Sequence, residues 1–254
     1  MKHGLRPAAL AALAAFVLAP GVRAGGGTRF ALAWPPTRYR SAELILWLDD
    51  ASQSATVRVH GRGVEVTVAL AGSEATRLPL PQEAQCVAGV DACALVAERI
   101  AGTGLFVAAL QSPDTSGAAD TLLLTAHDTV LLPPEQAAAT AHVVLAAPNP
   151  ATNAFPESAS FATIVPVAWP ARVWTSAGCL GPADAVLSEG EALTLECIAP
   201  LDDVTGILVE CDGPVIVLSG NVVTQVPCDG GAGLSGDLHP VAGDEPQHLY
   251  GNPR

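Results

Sequence analysis

Residues 56–60 (TVRVH) alternate polar and apolar side chains, Gly61-Arg62-Gly63 follows as a turn, and residues 64–68 (VEVTV) alternate again. Successive side chains of a strand point to opposite sides, so alternation on both flanks of a tight turn describes a β-hairpin with one buried face. Short runs of the same character recur at 44–48, 75–80, 104–110, 121–125, 129–132 and 142–146. They continue at 161–167, 172–175, 192–197, 206–210 and 214–219. The 24 glycines and 21 prolines fall mostly between these runs, as turns between short strands require. One stretch departs from the pattern: residues 92–100 read as a short helix capped by Asp91. Residues 25–41 read as irregular.

The two halves carry similar text. Glu74-Ala75-Thr76-Arg77-Leu78 answers Glu191-Ala192-Leu193-Thr194-Leu195, residues 105–111 (LFVAALQ) answer 215–221 (VIVLSGN), and Asp120 with its leucines answers Asp237-Leu238. The expected class is all-β, as two consecutive β-sandwich-like units of about 110 residues stapled by disulfides. A propeller-like arrangement is the alternative. The expected division is a signal peptide at 1–24, an irregular segment at 25–41, a first unit at 42–147, a linker at 148–158 and a second unit at 159–254. The second unit is expected to be incomplete at its C-terminus.

The N-terminus points to export. Lys2, His3 and Arg6 precede an apolar run over residues 8–20, and Val22-Arg23-Ala24 offers small residues before a cleavage point. The run is short of the roughly 20 residues that span a bilayer. Removing residues 1–24 takes away three bases (Lys2, Arg6, Arg23) and no acid, which moves the formal charge from -13 to -16 and leaves no lysine. Such a surface disfavours nucleic acid and other anionic partners. No stable membrane span is expected. Export makes disulfides the expected state of Cys86, Cys93, Cys179, Cys197, Cys211 and Cys228, paired locally as 86–93, 179–197 and 211–228. No Asn-x-Ser/Thr sequon is present at Asn149, Asn153, Asn221 or Asn252.

Catalytic patterns fail on chemistry. Residues 173–179 (VWTSAGC) imitate the segment around the histidine of trypsin-like serine proteases, but Gly178 stands where the base is needed. Residues 228–236 (CDGGAGLSG) only faintly resemble a nucleophile loop around Ser235, and Asp237 stands where a GxSxG elbow has its last glycine. Asp237, His239, Asp244 and His248 are the residues best placed to gather around a cation, with exposed polar residues as the plain reading. Asp49-Asp50 and Asp202-Asp203 offer oxygens that a structural calcium would accept, yet each lacks the further acids of a cage and suits a turn equally. Trp34, Trp47, Trp169 and Trp174 read as core or strand-edge aromatics rather than a sugar platform. No catalytic residue, cofactor or metal site is expected.

The second half carries an ordered set of motifs: Ser160-Phe161-Ala162-Thr163-Ile164-Val165, Glu191-Ala192-Leu193, Asp203-Val204-Thr205-Gly206-Ile207, residues 212–221 (DGPVIVLSGN) and Cys228-Asp229. With residues 105–124 upstream, this order resembles the N-terminal domain of the IgGFc-binding protein family, secreted β-rich adhesion-type modules. The residues that carry the resemblance are Phe161, Ile164, Val165, Thr205, Gly206, Pro214, Val215, Ser219, Gly220, Asn221, Cys228 and Asp229. The family's histidine and the run after it are replaced here by Gly230 onward and by Asp237-Leu238-His239-Pro240. The resemblance implies a secreted or cell-surface, non-enzymatic binding module, with an extracellular protein or glycan as ligand and no catalytic residues to transfer. The alternatives are a secreted hydrolase or degenerate protease using Ser235 with His239 or His248, and a self-assembling envelope or matrix protein.

Overall fold

The alternation in residues 56–68 becomes an antiparallel hairpin in the computed structural model, which describes residues 26–36, 41–112, 128–149, 159–176, 179–228 and 231–240. Ala55, Val57 and Val59 turn inward while Ser54 and Arg58 face solvent. A Cβ at Gly61, which sits at φ +140, would strike the backbone oxygen of Ala94, so only glycine lets the hairpin approach its neighbouring strand.

The strands in chain order are β1 (Arg29–Leu32), β2 (Ala42–Leu48), β3 (Ser54–Gly61), β4 (Val64–Ala71), β5 (Thr76–Leu80), β6 (Gly89–Asp91), β7 (Leu95–Gly102) and β8 (Phe106–Ser112). They continue as β9 (Asp128–Leu131), β10 (Ala139–Val143), β11 (Ser160–Pro166), β12 (Ala171–Thr175), β13 (Asp184–Leu187), β14 (Ala192–Cys197), β15 (Leu208–Cys228) and β16 (Gly231–Pro240). Among the described residues the helical turns are two short 3-10 segments, Gln82–Ala84 and Glu135–Ala137. The fold is all-β.

The first unit is a sandwich of two four-stranded antiparallel sheets, β1-β7-β3-β4 and β5-β2-β8-β9. Phe30 of one sheet meets Phe106 of the other with ring centroids 4.8 Å apart, and Leu44, Leu46, Val57, Val59 and Leu95 fill the space around them. The second unit repeats this connectivity. β10-β15-β12-β13 takes the place of the first sheet and β14-β11-β15-β16 that of the second. The matched text 74–78 and 191–195 leads into or lies in β5 and β14, and the matched 105–111 and 215–221 lie on β8 and β15, which hold equivalent places.

One strand joins the two sheets of the second unit. β15 pairs with β12 through Val209, Glu210 and Cys211, then with β11 from Val215 to Asn221. It does the work of β7 and β8 together. Gly213-Pro214 reads as a break in the sequence, yet the chain passes through it as a bulge, where a proline without an N–H is tolerated. β13 returns beside β14, so this sheet nearly closes into a barrel around Ile164, Val173, Leu187, Leu193, Val209 and Val217.

The units share a core. β11 is buried along its whole length. Phe161 and Val165 pack into the core of the first unit, while Ala162 and Ile164 belong to the barrel. Thr163 and Thr194, opposite one another on β11 and β14 and fully buried, satisfy each other through hydroxyls 3.0 Å apart. β6, from the first half, extends the second sheet by pairing with β14.

Several expectations are corrected. Residues 95–102 form a strand, not a helix: β7 lies between β1 and β3, buried on both faces at Leu95, Val96 and Ala97, so it has no alternation to read. Asp91 caps no helix; its carboxylate accepts from Arg62 Nη1, at 2.7 and 2.6 Å, and from the backbone N–H of Val87 at 3.1 Å. Part of the segment at 25–41 is ordered as β1, whose Phe30, Ala31 and Leu32 are fully buried. The expected boundary at 148–158 moves, because β10 already belongs to the second unit and Asn149 is anchored in it. The expected strand at 121–125 lies outside the described residues. Cys86–Cys93 and Cys179–Cys197 are disulfides as expected. Cys211 is instead a free, buried thiol. It shares a single extended strand with Cys228, seventeen positions further on, a separation far beyond the about 7 Å between Cα atoms that a bridge allows.

Phe161→Ala opens a cavity in the core the units share. It is expected to lower unfolding stability by about 3–5 kcal/mol in a denaturant titration.

Candidate functional site

β10 runs on into an extended strap, residues 144–149, that crosses one end of the second unit. Ser219 and Asn221 lie two residues apart on β15 and so point the same way. Ser219 Oγ donates to the carbonyl of Leu145 at 2.5 Å and Asn221 Nδ2 to that of Ala147 at 3.1 Å. The spacing of the two side chains matches the spacing of the two strap carbonyls.

Asn149 ends the strap. Its Nδ2 donates to the carbonyls of Cys197 at 2.8 Å and Ala199 at 2.9 Å, its Oδ1 accepts from Asn221 Nδ2 at 2.9 Å, and its backbone N–H donates to Asp202 O at 3.0 Å. Asn149 and Asn221 are only 3% and 2% exposed. Every donor of the Asn149 amide is used, which fixes its orientation. Further along, Thr205 Oγ1 donates to Ala146 O and accepts from Ala146 N–H, while Val204 N–H donates to Ser160 Oγ. The Cys179–Cys197 disulfide secures the other side of the loop where β14 ends.

What this clamp displays is apolar. Ile198 and Leu201 are 59% and 66% exposed, and Leu180 and Leu145 on the flanks are also more than half exposed. Among the described residues Leu201 is the non-glycine residue at positive φ, +64. A leucine held there costs about 1–3 kcal/mol, strain that persists only where surrounding contacts impose it. Beside Leu180, burial pushes the carboxyl of Glu196 above its ordinary range.

A second exposed feature lies on the outer face of β10-β15-β12-β13, where Val186, Trp174, Leu208 and Val143 are solvent-exposed on four adjacent strands. Arg172 stands 5.2 Å above the Trp174 ring and donates to both oxygens of Asp184, at 2.9 and 2.6 Å. That guanidinium holds the Asp184 carboxyl below its usual range.

The residues singled out from the sequence separate into groups. Phe161, Ile164, Val165 and Val215 are core, Pro214 sits at the bulge, and Gly220 lies opposite Phe161 on β15. Thr205, Ser219 and Asn221 converge on the strap, and Gly206, at φ +84, donates its N–H to Val144 O. Cys228 pairs with Gly231, and Asp229 lies outside the described residues. Ser235 and His239 stand four positions apart along β16. Asp244 and His248 lie outside the described residues. Asp50 and Asp203 each use a carboxylate oxygen to hold a turn, Asp50 for Ser52 and Asp203 for Thr205. Among the described residues no group of three or more His, Cys, Asp or Glu side chains is placed to hold a metal. The Cys211 thiol is pushed up to about 12 by burial, with Asp212 and Glu210 adding to the shift, and is therefore unreactive at neutral pH.

Sequence reasoning missed Asn149, whose flanking prolines made it look like a linker residue, and missed Ile198 and Leu201, which carry no motif. No protein-family model matches the chain, and no curated protein or solved structure matches it significantly.

Asn149→Ala and Asn221→Ala each leave buried partners unpaired. Each should lower stability by about 1–3 kcal/mol, and the double variant should lose clearly less than the sum, because the two amides share one network. Chemical denaturation of the four proteins checks this.

Proposed function

We propose that this chain is an exported, non-enzymatic binding module whose contact surface is the apolar loop 198–201. The observation that carries the reading is Leu201, a leucine 66% exposed at φ +64. Backbone strain and an exposed large side chain are both unfavourable for the free protein. A clamp of buried amides and a disulfide imposes the first and displays the second. Loops held rigid on a β-scaffold are where binding residues concentrate.

Further support comes from the basic and apolar N-terminus, from two disulfides, and from the absence among the described residues of any helix long and apolar enough to cross a membrane. The resemblance to the N-terminal domain of the IgGFc-binding protein family points the same way, since Thr205, Ser219 and Asn221, which carry it, build the clamp. Of protein and glycan ligands, the apolar pair Ile198 and Leu201 favours an extracellular protein with an apolar pocket. The acidic surface argues against nucleic acid.

The test is capture from the native extracellular fraction on immobilised wild-type chain and on the Ile198→Asp/Leu201→Asp variant. The wild type should retain a protein that the variant binds about tenfold less well or worse, with unchanged circular dichroism. Equal capture by both, or none by either, contradicts the reading, as does labelling of Ser235 by a serine-reactive phosphonate.

A further inference from the structure

β10 is paired to β15 on both sides of a mismatch. Val143, His142 and Ala141 lie opposite Leu208, Val209 and Glu210, but Ala139 lies opposite Val215. Thr140 alone therefore faces the four residues Cys211, Asp212, Gly213 and Pro214, and the ladder is interrupted at the corner where β15 passes from one sheet to the other.

His142 bridges the interruption. Its Nε2 lies 3.2 Å from Ala139 O and 3.0 Å from Val215 O, one carbonyl on each strand beyond the bulge. Both are acceptors, so Nε2 carries the hydrogen and donates. The residue is 5% exposed, and its neighbours Val144 and Val209 both line the barrel core.

The first unit has the same corner with different chemistry. There Gly27 bridges Phe106 and Arg29 pairs with Glu98, the skip that Ala139 and Ala141 make against Val215 and Glu210. His142 thus stands where the first unit has Phe30, a fully buried phenyl packed on Phe106. The corner can be filled without a titratable group, and the second unit uses one.

Among the described residues an added proton would find no counter-charge. Glu210 and Asp212 of β15, Arg172 of β12 and Asp184 of β13 all lie on the exposed face. Glu135, ahead of β10, is engaged by Arg29. Glu196, at the end of β14, and the Cys211 thiol are both biased by burial toward their neutral forms. Burial holds His142 below its ordinary range, against a smaller opposing pull from the two carbonyls.

We propose that His142 is an acid-operated latch, whose protonation releases β10 and the strap 144–149 and so loosens the loop 198–201. The latched state binds fewer protons than the open one. Its stabilisation is therefore complete above pH 6.5, the ordinary histidine value, and is lost as pH falls below it. The open population rises about tenfold per pH unit until the latched His142 itself titrates. Acid release of a ligand rests on the binding reading above; opening of the strap does not.

Hydrogen exchange of the full chain at pH 7.5 and 5.5, corrected for intrinsic rates, tests the latch. Residues 139–149 should open more often at pH 5.5, by up to about tenfold, with the β3–β4 hairpin and the Phe30 corner unchanged. His142→Gln, whose amide can donate to the same carbonyls, and His142→Phe, which copies the first unit, should both abolish the pH difference. If neither variant folds, the imidazole resonance of the wild type should titrate with a midpoint below 6.5. The latch is overturned by strap protection independent of pH, by variants that keep the pH difference, or by a midpoint at or above 6.5. Strap opening at pH 5.5 with full retention of a captured ligand would instead remove the binding reading and leave the latch standing.

Discussion

β11 gives alternate side chains to two different cores, Phe161 and Val165 to the one that fills the first unit, Ala162 and Ile164 to the barrel of the second. Phe161 and Val165 each contribute about 1.5–3 kcal/mol by leaving water, and that contribution exists only while the two units are packed together. The buried hydroxyls of Thr163 and Thr194 satisfy each other across β11 and β14. The repeat therefore does not produce two independent sandwiches. The second unit lays the outer face of one sheet on the first, and β6 continues that sheet across the junction by pairing with β14.

The same duplication shows where the units diverge. In the first, β7 ends at Gly102 and β8 begins at Phe106. In the second, the corresponding strands are continuous as β15, and the corner becomes a bulge spanned by His142. That corner leads directly into the strap, and Ser219, Asn221 and Asn149 tie the strap to the loop that carries Ile198 and Leu201. A single hydrogen-bonded path thus runs from a titratable ring to the proposed contact surface, with the Cys179–Cys197 bridge fixing its far end.

How much of this was legible depended on whether a residue's environment has two sides. The β3–β4 hairpin could be read because one face is wet, so period-two alternation survives in the text. β1 and β7 could not, because both faces are buried and the apolar run that results suits a helix or a loop equally well. The repeat was visible in two short matches, 74–78 with 191–195 and 105–111 with 215–221, that lie on or beside equivalent strands; Asp120 and its leucines lie outside the described residues. Gly213-Pro214 hid the continuity of β15, since a bulge and a chain break have the same composition. Two of three disulfides followed from sequence proximity, and the third failed because residues seventeen positions apart on one extended strand are far apart in space. At the site, Thr205, Ser219 and Asn221 stood out as motif residues, but their shared task could not be read, since the carbonyls they hold belong to a strap more than fifty residues away in sequence. Asn149 was hidden by its prolines.

If the two repeated units form one folded body through β11, they unfold together, and differential scanning calorimetry of the full chain reads this out. A single transition is predicted, with calorimetric and van't Hoff enthalpies equal. Two separable transitions, or a calorimetric enthalpy well above the van't Hoff value, would contradict it and return the chain to a pair of autonomous sandwiches.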